Sequence, residues 1–440
     1  MGDFAAVVMA AGLGTRMKSA TPKHLHPLLG RRLVDWVVEA VRPSGADPLV
    51  VVVAPDAVDA FEGKNVNVAV QQQPLGTGDS LRAARNAVGD AKQLLVVSGD
   101  HPRLSPELLQ QLVDEHRSSG ATATVLSFQP SDPLAYGRIV RDGDGRLRQI
   151  VEHADADEAQ RAISEVNSSI YVFEADRLWP ALDQIEPVNA QGELYLTDAV
   201  RLLVEGGDNV AVFKAPDADE VEGVNTRAEL ADAAAFLRAR VNKEHMLAGV
   251  TIVDPQTTWI DPEVELEPDS TIHPFTVLRG KTRVAAGAEV GPHAVAIDAE
   301  IGPDAKVGPF CYLRPGTKLG AGAKAGTFVE IKNSDIGART KVPHLSYIGD
   351  AEIGEDTNVA AGNITANFPH EPGRPKGRTK IGRNVRTGIQ NGFEAPVEIG
   401  DDAWIAGGAY ITEDVPPESL AGFPPKQITK EGYLRGKRND

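Results

Sequence analysis

Cysteine is nearly absent: Cys311 is the one cysteine in 440 residues, which excludes a disulfide within the chain and any thiol-rich metal site. Cys311 falls in a regular apolar pattern and reads as a small buried filler. Aromatic residues make up only 5% of the chain. Long apolar runs are also missing, and none approaches the ~18 residues that cross a bilayer, so no membrane span is expected. The opening FAAVVMAAG is flanked by Asp3 rather than by a basic region and passes straight into a Gly-rich segment, so it reads as a buried strand and not a signal peptide. A soluble, cytoplasmic protein is the expectation. Positive charge is in deficit, with 45 Lys and Arg against 62 Asp and Glu and a formal net charge of -17. That balance argues against a protein that wraps nucleic acid. It leaves room for a small phosphorylated ligand, which a few local cations can hold.

What is plentiful is glycine (43) and proline (30), within a chain that is 42% hydrophobic to its end. Such a chain carries many tight turns and is too long for one ordinary core, so two or three domains are expected. Residues 1–225 alternate short apolar runs with amphipathic ones. Segments 4–9, 48–54, 66–71, 93–98 and 123–128 read as buried strands, and 34–41, 81–87 and 106–117 place apolar residues at helical spacing. This alternation predicts an α/β domain with a mostly parallel, Rossmann-like sheet covered on both faces. Ligands in such sheets sit at the carboxyl ends of strands, here after Met9 and after Ser98. Residues 226–247, rich in Ala, Leu, Arg and Glu, predict a long linker helix.

From residue 248 to 440 the period changes. Aliphatic residues recur at every sixth position: Leu266, Ile272, Leu278, Val284 and Val290, then Ile301, Val307, Leu313, Leu319, Ala325 and Ile331. After one-residue slips the series runs on through Ile336, Val342, Ile348, Ile353 and Val359, and it returns at Ile381, Ile399, Ile405 and Ile411. A six-residue period is neither helix nor antiparallel strand. It predicts a parallel β-helix of hexapeptide repeats, each coil stacking its aliphatic on the one below. Residues 365–380, rich in Pro, Gly and basic side chains, read as a loop leaving the coil, and such loops often cover a site.

The turn after the first strand carries Ala10-Ala11-Gly12-Leu13-Gly14-Thr15-Arg16. Gly12 and Gly14 let backbone N–H groups approach phosphate oxygens, Arg16 adds a forked cation, and Lys23 reaches the same place as a point charge. The segment lacks the GK[ST] ending of a P-loop and the third glycine of a dinucleotide fingerprint. As AAGxGTRM…PK it resembles the signature of sugar-1-phosphate nucleotidylyltransferases. Further matches follow in order: Gln71…Leu75-Gly76-Thr77-Gly78, Ser98-Gly99-Asp100, Tyr136-Gly137-Arg138, Val151-Glu152-His153, Glu165-Val166-Asn167-Ser168 and Glu222-Gly223-Val224-Asn225. With the β-helix added, nearly the whole chain is similar to the bifunctional N-acetylglucosamine-1-phosphate uridylyltransferase/glucosamine-1-phosphate N-acetyltransferase family.

That resemblance implies a left-handed β-helix, trimer assembly through it, and synthesis of UDP-N-acetylglucosamine, a cell-wall (peptidoglycan) precursor. It implies that Ala10, Ala11, Gly12, Gly14, Arg16 and Lys23 hold the triphosphate of UTP, and that Gln71, Gly76 and Thr77 read the base. Gln71 alone can serve more than one base. Asp100 and Asn225 would hold Mg²⁺, an oxygen pair of the kind that ion takes beside phosphates. Gly137, Glu152, Asn167 and Asn225 would contact the sugar. Ser169 stands where relatives commonly have Gly, and His101 varies a position beside the metal ligand.

In the β-helix the resemblance implies acetyl transfer from acetyl-CoA to a sugar amine. His344 would be the base and Glu330 would orient its ring. Arg314 and Lys332 would take the sugar phosphate, and Tyr347, Asn358 and Asn367 the sugar. Ala361 and Gly407 would line the acetyl-CoA slot, with Gly407 replacing the usual Ala. The donor side departs further. Ile389 replaces a Ser, Phe368-Pro369-His370 replaces a Tyr-Asp-Gly run, and Pro424 falls near a basic position, with Lys426 as a substitute. One lost donor hydrogen bond costs on the order of 1 kcal/mol, which weakens binding without abolishing it.

Three readings stand at this stage. The first is the bifunctional enzyme. The second is a uridylyltransferase whose β-helix only assembles the oligomer or takes another acyl donor; Ile389 and Pro424 favour it, while His344 and Lys332 oppose it. The third is a non-catalytic regulatory subunit, which Arg16, Lys23, Asp100 and Asn225 oppose, because a scaffold needs none of them.

Overall fold

A computed structural model describes residues 2–133, 136–369, 373, 375–422 and 427–433. The chain divides into two compact units, Met1–Leu237 and Arg238–Asp440.

The first unit is built on the strand Phe4–Ala10, buried along its whole length. Its consecutive side chains point to opposite faces, as the pleat requires. Ala5, Val7 and Met9 enter one core, and Phe4, Ala6, Val8 and Ala10 enter the other. The first core is covered by helices Thr77–Val88, Ala175–Asp183 and Leu196–Glu205, and the second by Leu33–Val41 and Pro106–Ser119. Across the sheet the strand order is Val210–Lys214, Ala123–Phe128, Val166–Glu174, Gln93–Ser98, Phe4–Ala10, Leu49–Val53, Asn67–Val70.

All neighbours along this path are parallel except Val166–Glu174, which runs antiparallel to both of its partners. A hairpin of Arg138–Arg141 and Leu147–Val151 extends from it. The strand carries a register shift between Asn167 and Tyr171, where Ser169 adopts φ 60°. Such bulges re-aim side chains beside functional sites. The helix expected at 81–87 begins earlier, at Thr77. Its first turn (Thr77, Asp79, Ser80) is polar and gives no apolar signal, and Gly76, at φ 116°, breaks the chain in front of it.

In the second unit the hexapeptide series becomes three parallel sheets. One starts at Thr251–Ile252, one at Trp259–Ile260 and one at Glu265–Leu266. The aliphatics stack coil on coil: Leu266, Val284, Ile301, Leu319, Ile336, Ile353, Ile381 and Ile399 follow one another in register. Each fully buried aliphatic contributes roughly 1.5–3 kcal/mol. Close stacking demands glycine at one position of the coil. A Cβ on Gly337 or Gly354 would lie 2.5 Å from the backbone nitrogen of the next coil. The loop expected at 365–380 is shorter than that. Thr365 and Ala366 pair in Ile364–Ala366, and Thr379 and Lys380 in Thr379–Ile381, so the coil is left only over 367–378. The linker helix expected at 226–247 is Arg227–Leu247, and the division between the two units falls within it.

One corner of the β-helix is a column. Phe275, His293, Phe310 and Phe328 stack ring on ring, with centroids 4.6, 4.9 and 5.3 Å apart, each in a left-handed backbone conformation. Leu345 continues it, its N–H bonded to Thr327 one coil below. Above Leu345 the corner holds Gly362, Gln390 and Gly408 instead.

Candidate functional site

The Gly-rich turn leaves the buried strand end at Ala10 and Ala11, and Gly12 is exposed. Gly14 needs its glycine twice: φ is 60°, and a Cβ there would fall 2.4 Å from the Lys23 Cβ. The turn is thereby pressed against Lys23, whose ammonium points into the sheet end. Lys23 Nζ donates to Asp100 Oδ2 at 2.5 Å and to Asn225 Oδ1 at 3.1 Å. Arg16 Nη2 donates to the same Asn225 oxygen at 2.9 Å. Asp100 is fixed from behind: Ser98 Oγ donates to its Oδ1 at 2.6 Å, and its backbone carbonyl accepts from Val224 N–H at 2.8 Å. Burial alone would raise the Asp100 carboxyl. The Lys23 ammonium, and after it His101 and His24, outweigh burial and hold it well below the usual carboxylate range. His24 is 5% exposed beneath Gly99, and burial, with the Lys23 charge, lowers its imidazole to about 4.

The structure thus brings Arg16, Lys23, Asp100 and Asn225 together at the end of the strands. Two side-chain oxygens from distant parts of the chain converge on one ammonium. Among the described residues no three of His, Cys, Asp and Glu converge as a metal set.

A second cluster lies on the other side of the first strand. A cavity of about 190 Å³ is lined by Thr77, Glu152, Ser169, Tyr171, Tyr195 and Thr197, among others. Glu152 Oε1 accepts from Thr197 Oγ at 3.1 Å, and Gly137 packs against the Glu152 carboxyl, where a Cβ would sit 3.3 Å from Oε2. Burial, followed by Asp155, Asp198 and Glu193, raises the Glu152 carboxyl against that hydrogen bond. Asn167 Nδ2 donates to Tyr171 Oη at 2.8 Å. Gln71 is buried, with its amide donating to Gly76 O at 3.1 Å and Asp79 Oδ2 at 2.9 Å, while Thr77 Oγ accepts from Leu196 N–H at 3.0 Å. Thr197 and Tyr195 escaped the sequence reading. Their only signal is a polar opening, Tyr195…Thr197-Asp198, on a helix that is otherwise apolar on one face.

In the β-helix, Arg314 Nη1 donates to Glu330 Oε1 at 2.9 Å. This replaces the expected Glu330–His344 contact. Glu330 lies in register with Tyr347 on one sheet, whereas His344 ends a strand of another, and its exposed ring has no hydrogen-bond partner among the described residues. Lys332 faces a second cation that sequence reading missed, Lys376 in the excursion. The facing ammonium of Lys376 lowers the Lys332 pKa. Asp350, beside them, accepts from Asn333 and from the expected sugar residue Asn367. Partial burial raises its carboxyl, but those hydrogen bonds, with Lys332 and Lys376, hold it below the usual range. Two like charges brought face to face call for an anion between them. The signal for Lys376 was the basic composition of the loop, without a position. Tyr347 lies over Gly349, where a Cβ would meet its hydroxyl at 2.4 Å, and Asn358 bridges Lys341 and Arg386 between coils.

The expected donor residues follow His344 up one corner. His344 O accepts from Gly362 N–H, Ala361 O from Gln390 N–H at 2.8 Å, and Ile389 O from Gly408 N–H at 2.8 Å, with Gly407 beside Ile389. Ile389 is 57% exposed there. His370, Pro424 and Lys426 lie outside the described residues.

Residues 6–170 match the profile of the MobA-like NTP transferase domain. Over the whole length the chain is similar to proteins named "Bifunctional protein GlmU". That of Streptomyces coelicolor is 46% identical over 458 aligned residues, covering 99% of this chain and 94% of the relative. That of Caldanaerobacter subterraneus subsp. tengcongensis is 40% identical over 452, covering 99% and 98%. That of Geotalea uraniireducens is 42% identical over 460, covering all of both chains.

Proposed function

The chain belongs to the family of the bifunctional protein GlmU, and from that membership we infer that it makes UDP-N-acetylglucosamine in two reactions. In one, the phosphate oxygen of N-acetylglucosamine-1-phosphate attacks the α-phosphorus of UTP and pyrophosphate leaves. In the other, the amine of glucosamine-1-phosphate attacks the thioester carbonyl of acetyl-CoA, the amine proton goes to a base, and CoA leaves. The scaffold-only and regulatory-subunit readings give way to this one.

The observation that carries the first reaction is the Lys23 ammonium held between Asp100 Oδ2 and Asn225 Oδ1. A cation already satisfies both oxygens, so the pair fits Mg²⁺, and Asp100 and Asn225 would hold it. When bound, that ion neutralises phosphate charge that the attacking oxyanion would otherwise meet. Arg16, Lys23 and the Ala10–Gly14 backbone would grip the triphosphate. Gln71, tied down by its amide N–H groups, offers its carbonyl oxygen to the base, next to Gly76 and Thr77. Glu152, Gly137 and Asn167 would receive the sugar in the adjoining cavity.

For the second reaction, His344 is the base that takes the amine proton. Arg314, Lys332 and Lys376 bind the phosphate, and Tyr347, Asn358 and Asn367 hold the sugar ring. Acetyl-CoA would lie along the corner above His344, past Ala361 and Gly407, where Gly362 and Gly408 carry no side chain and Gln390 stands between them. Glu330 acts on the phosphate side, by fixing Arg314. Assembly as a homotrimer through the β-helix and residence in the cytoplasm complete the proposal; no helix among the described residues is long and apolar enough to cross a membrane.

The test is paired. Thiol release from acetyl-CoA with glucosamine-1-phosphate is measured beside pyrophosphate release from UTP with N-acetylglucosamine-1-phosphate. Both are expected, and a missing thiol signal beside normal pyrophosphate release would overturn the acetyl-transfer half.

A further inference from the structure

On the sheet that begins at Glu265–Leu266, the residue before each stacked aliphatic is exposed, and these residues lie beside one another coil on coil. In register order they are Glu265, Arg283, Glu300, Lys318, Asp335, Glu352, Lys380 and Glu398. Their charges alternate at every step but one. Opposite charges on neighbouring strands support a sheet, and like charges directly opposite destabilise it. The exception is Asp335 beside Glu352, and it falls where the chain leaves the coil.

The missing cation comes from the excursion. Arg378, two residues after Lys376, reaches both carboxylates: Nε donates to Glu352 Oε1 at 2.7 Å and Nη2 to Asp335 Oδ2 at 3.3 Å. A planar fork can bridge two carboxylates on adjacent strands in this way, whereas a lysine is a single point charge. The same limb is gripped through its backbone. Gly377 N–H donates to Asn367 O at 3.1 Å and Thr379 N–H to Asp350 O at 3.2 Å. Gly377 is pressed so close to the next coil that a Cβ would fall 2.5 Å from the Ala395 carbonyl carbon. Lys376 thus extends from a limb that is held from behind. It requires that hold, because its ammonium faces Lys332 and the two charges repel until an anion lies between them.

We propose that Arg378 is a positioning residue for acetyl transfer: by bridging Asp335 and Glu352 it holds the limb that presents Lys376 opposite Lys332, so that both ammonium groups meet the sugar phosphate together. It acts through Lys376, on binding of the phosphate, and leaves proton transfer to His344 untouched. The inference rests on the reading of Lys332 and Lys376 as phosphate ligands.

The experiment follows thiol release from acetyl-CoA over a range of glucosamine-1-phosphate concentrations, with the full chain carrying Arg378→Gln, Lys376→Ala, or both. Arg378→Gln is expected to raise KM for the sugar phosphate about 5-fold with kcat and the KM for acetyl-CoA nearly unchanged. The double variant is expected to match Lys376→Ala alone, because one residue acts through the other. Adding Glu352→Gln to Arg378→Gln relieves the like-charge pair; Tm should recover while KM stays raised. Amide exchange across residues 376–380 should quicken in Arg378→Gln, a readout independent of either activity. Unchanged exchange overturns the proposal, as does an additive double variant or a KM restored by Glu352→Gln. If Lys376→Ala raises KM and Arg378→Gln does not, only the role of Arg378 is wrong. If Lys376→Ala leaves KM in place, the phosphate reading fails and takes the proposal with it.

Discussion

The Lys23 ammonium lies 2.5 Å from the Asp100 carboxylate, and both side chains are nearly buried. A buried ion pair of this kind is costly to break from one side, because the remaining charge stays desolvated. It is also a loaded position: whatever cation replaces the ammonium finds its oxygens already oriented.

Asp100→Ala therefore removes the cation pair and strands Lys23. Pyrophosphate release is expected to fall by at least about 10²-fold, on the scale of losing one preorganised electrostatic group. Acetyl transfer should persist, since its residues belong to the other compact unit. Parallel assays of the two reactions on one preparation check this; loss of both in a folded variant refutes the separation.

His24 gives the first unit an acid-side weakness. Its imidazole is lowered to about 4 in the fold, against about 6.5 when unfolded. Between these values the unfolded chain binds the proton and the fold does not. Stability is therefore complete above pH 6.5 and declines as pH falls toward 4, by on the order of 3 kcal/mol at most. Thermal unfolding of wild type and His24→Val should diverge as pH is lowered through this window, with the variant falling less.

Glu152 has the opposite sign. Burial raises its carboxyl, so the protonated form suits the fold, and that contribution is lost as pH rises through the folded value. Glu152→Gln is expected to unfold at a higher temperature than wild type at pH 8. It should nevertheless raise KM for N-acetylglucosamine-1-phosphate. A variant that is destabilised at pH 8 would show that burial is not the dominant effect on this carboxyl.

Glu330 separates two roles through kinetics. Because it fixes Arg314, Glu330→Gln should raise KM for glucosamine-1-phosphate by about 10-fold and leave the pH profile of kcat in place. His344→Ala should remove thiol release altogether. A shifted pH profile in Glu330→Gln would restore Glu330 as the partner that orients His344.

Lys376→Ala relieves Lys332 of a facing charge and should raise KM for glucosamine-1-phosphate about 10-fold with kcat nearly unchanged. Steady-state thiol release across a series of sugar phosphate concentrations tests it. Pyrophosphate release is the internal control.

Much of this was legible in the residues. The six-residue recurrence fixed the β-helix, because one stacked aliphatic per face, three to a coil, leaves a period no other element shares. The Gly12–Lys23 cluster was legible because phosphate binding uses few residue types at short spacing. Other features were not. The antiparallel strand Val166–Glu174 has the same apolar run as its parallel neighbours, and direction leaves no mark on composition. Thr197 and Lys376 reach their sites from a helix opening and a coil excursion whose positions are set by packing far away in sequence. The Glu330 partner was misread because residues two strands apart in a coil differ by a corner, and only the register decides which of them meet.

The register also governs what lengths the gene can encode. Along one sheet, Leu319 stacks on Ile336 and Ile336 on Ile353, but the next partner is Ile381, after the excursion of residues 367–378. Chain can be added or deleted within that excursion while the coils above and below keep their stacking. Elsewhere along this sheet successive coils differ by a single residue at most, 18 from Leu266 to Val284 and 17 from Val284 to Ile301, against 28 from Ile353 to Ile381. Natural length variation in this half should therefore gather between residues 367 and 378, the stretch that also carries Lys376 to face Lys332.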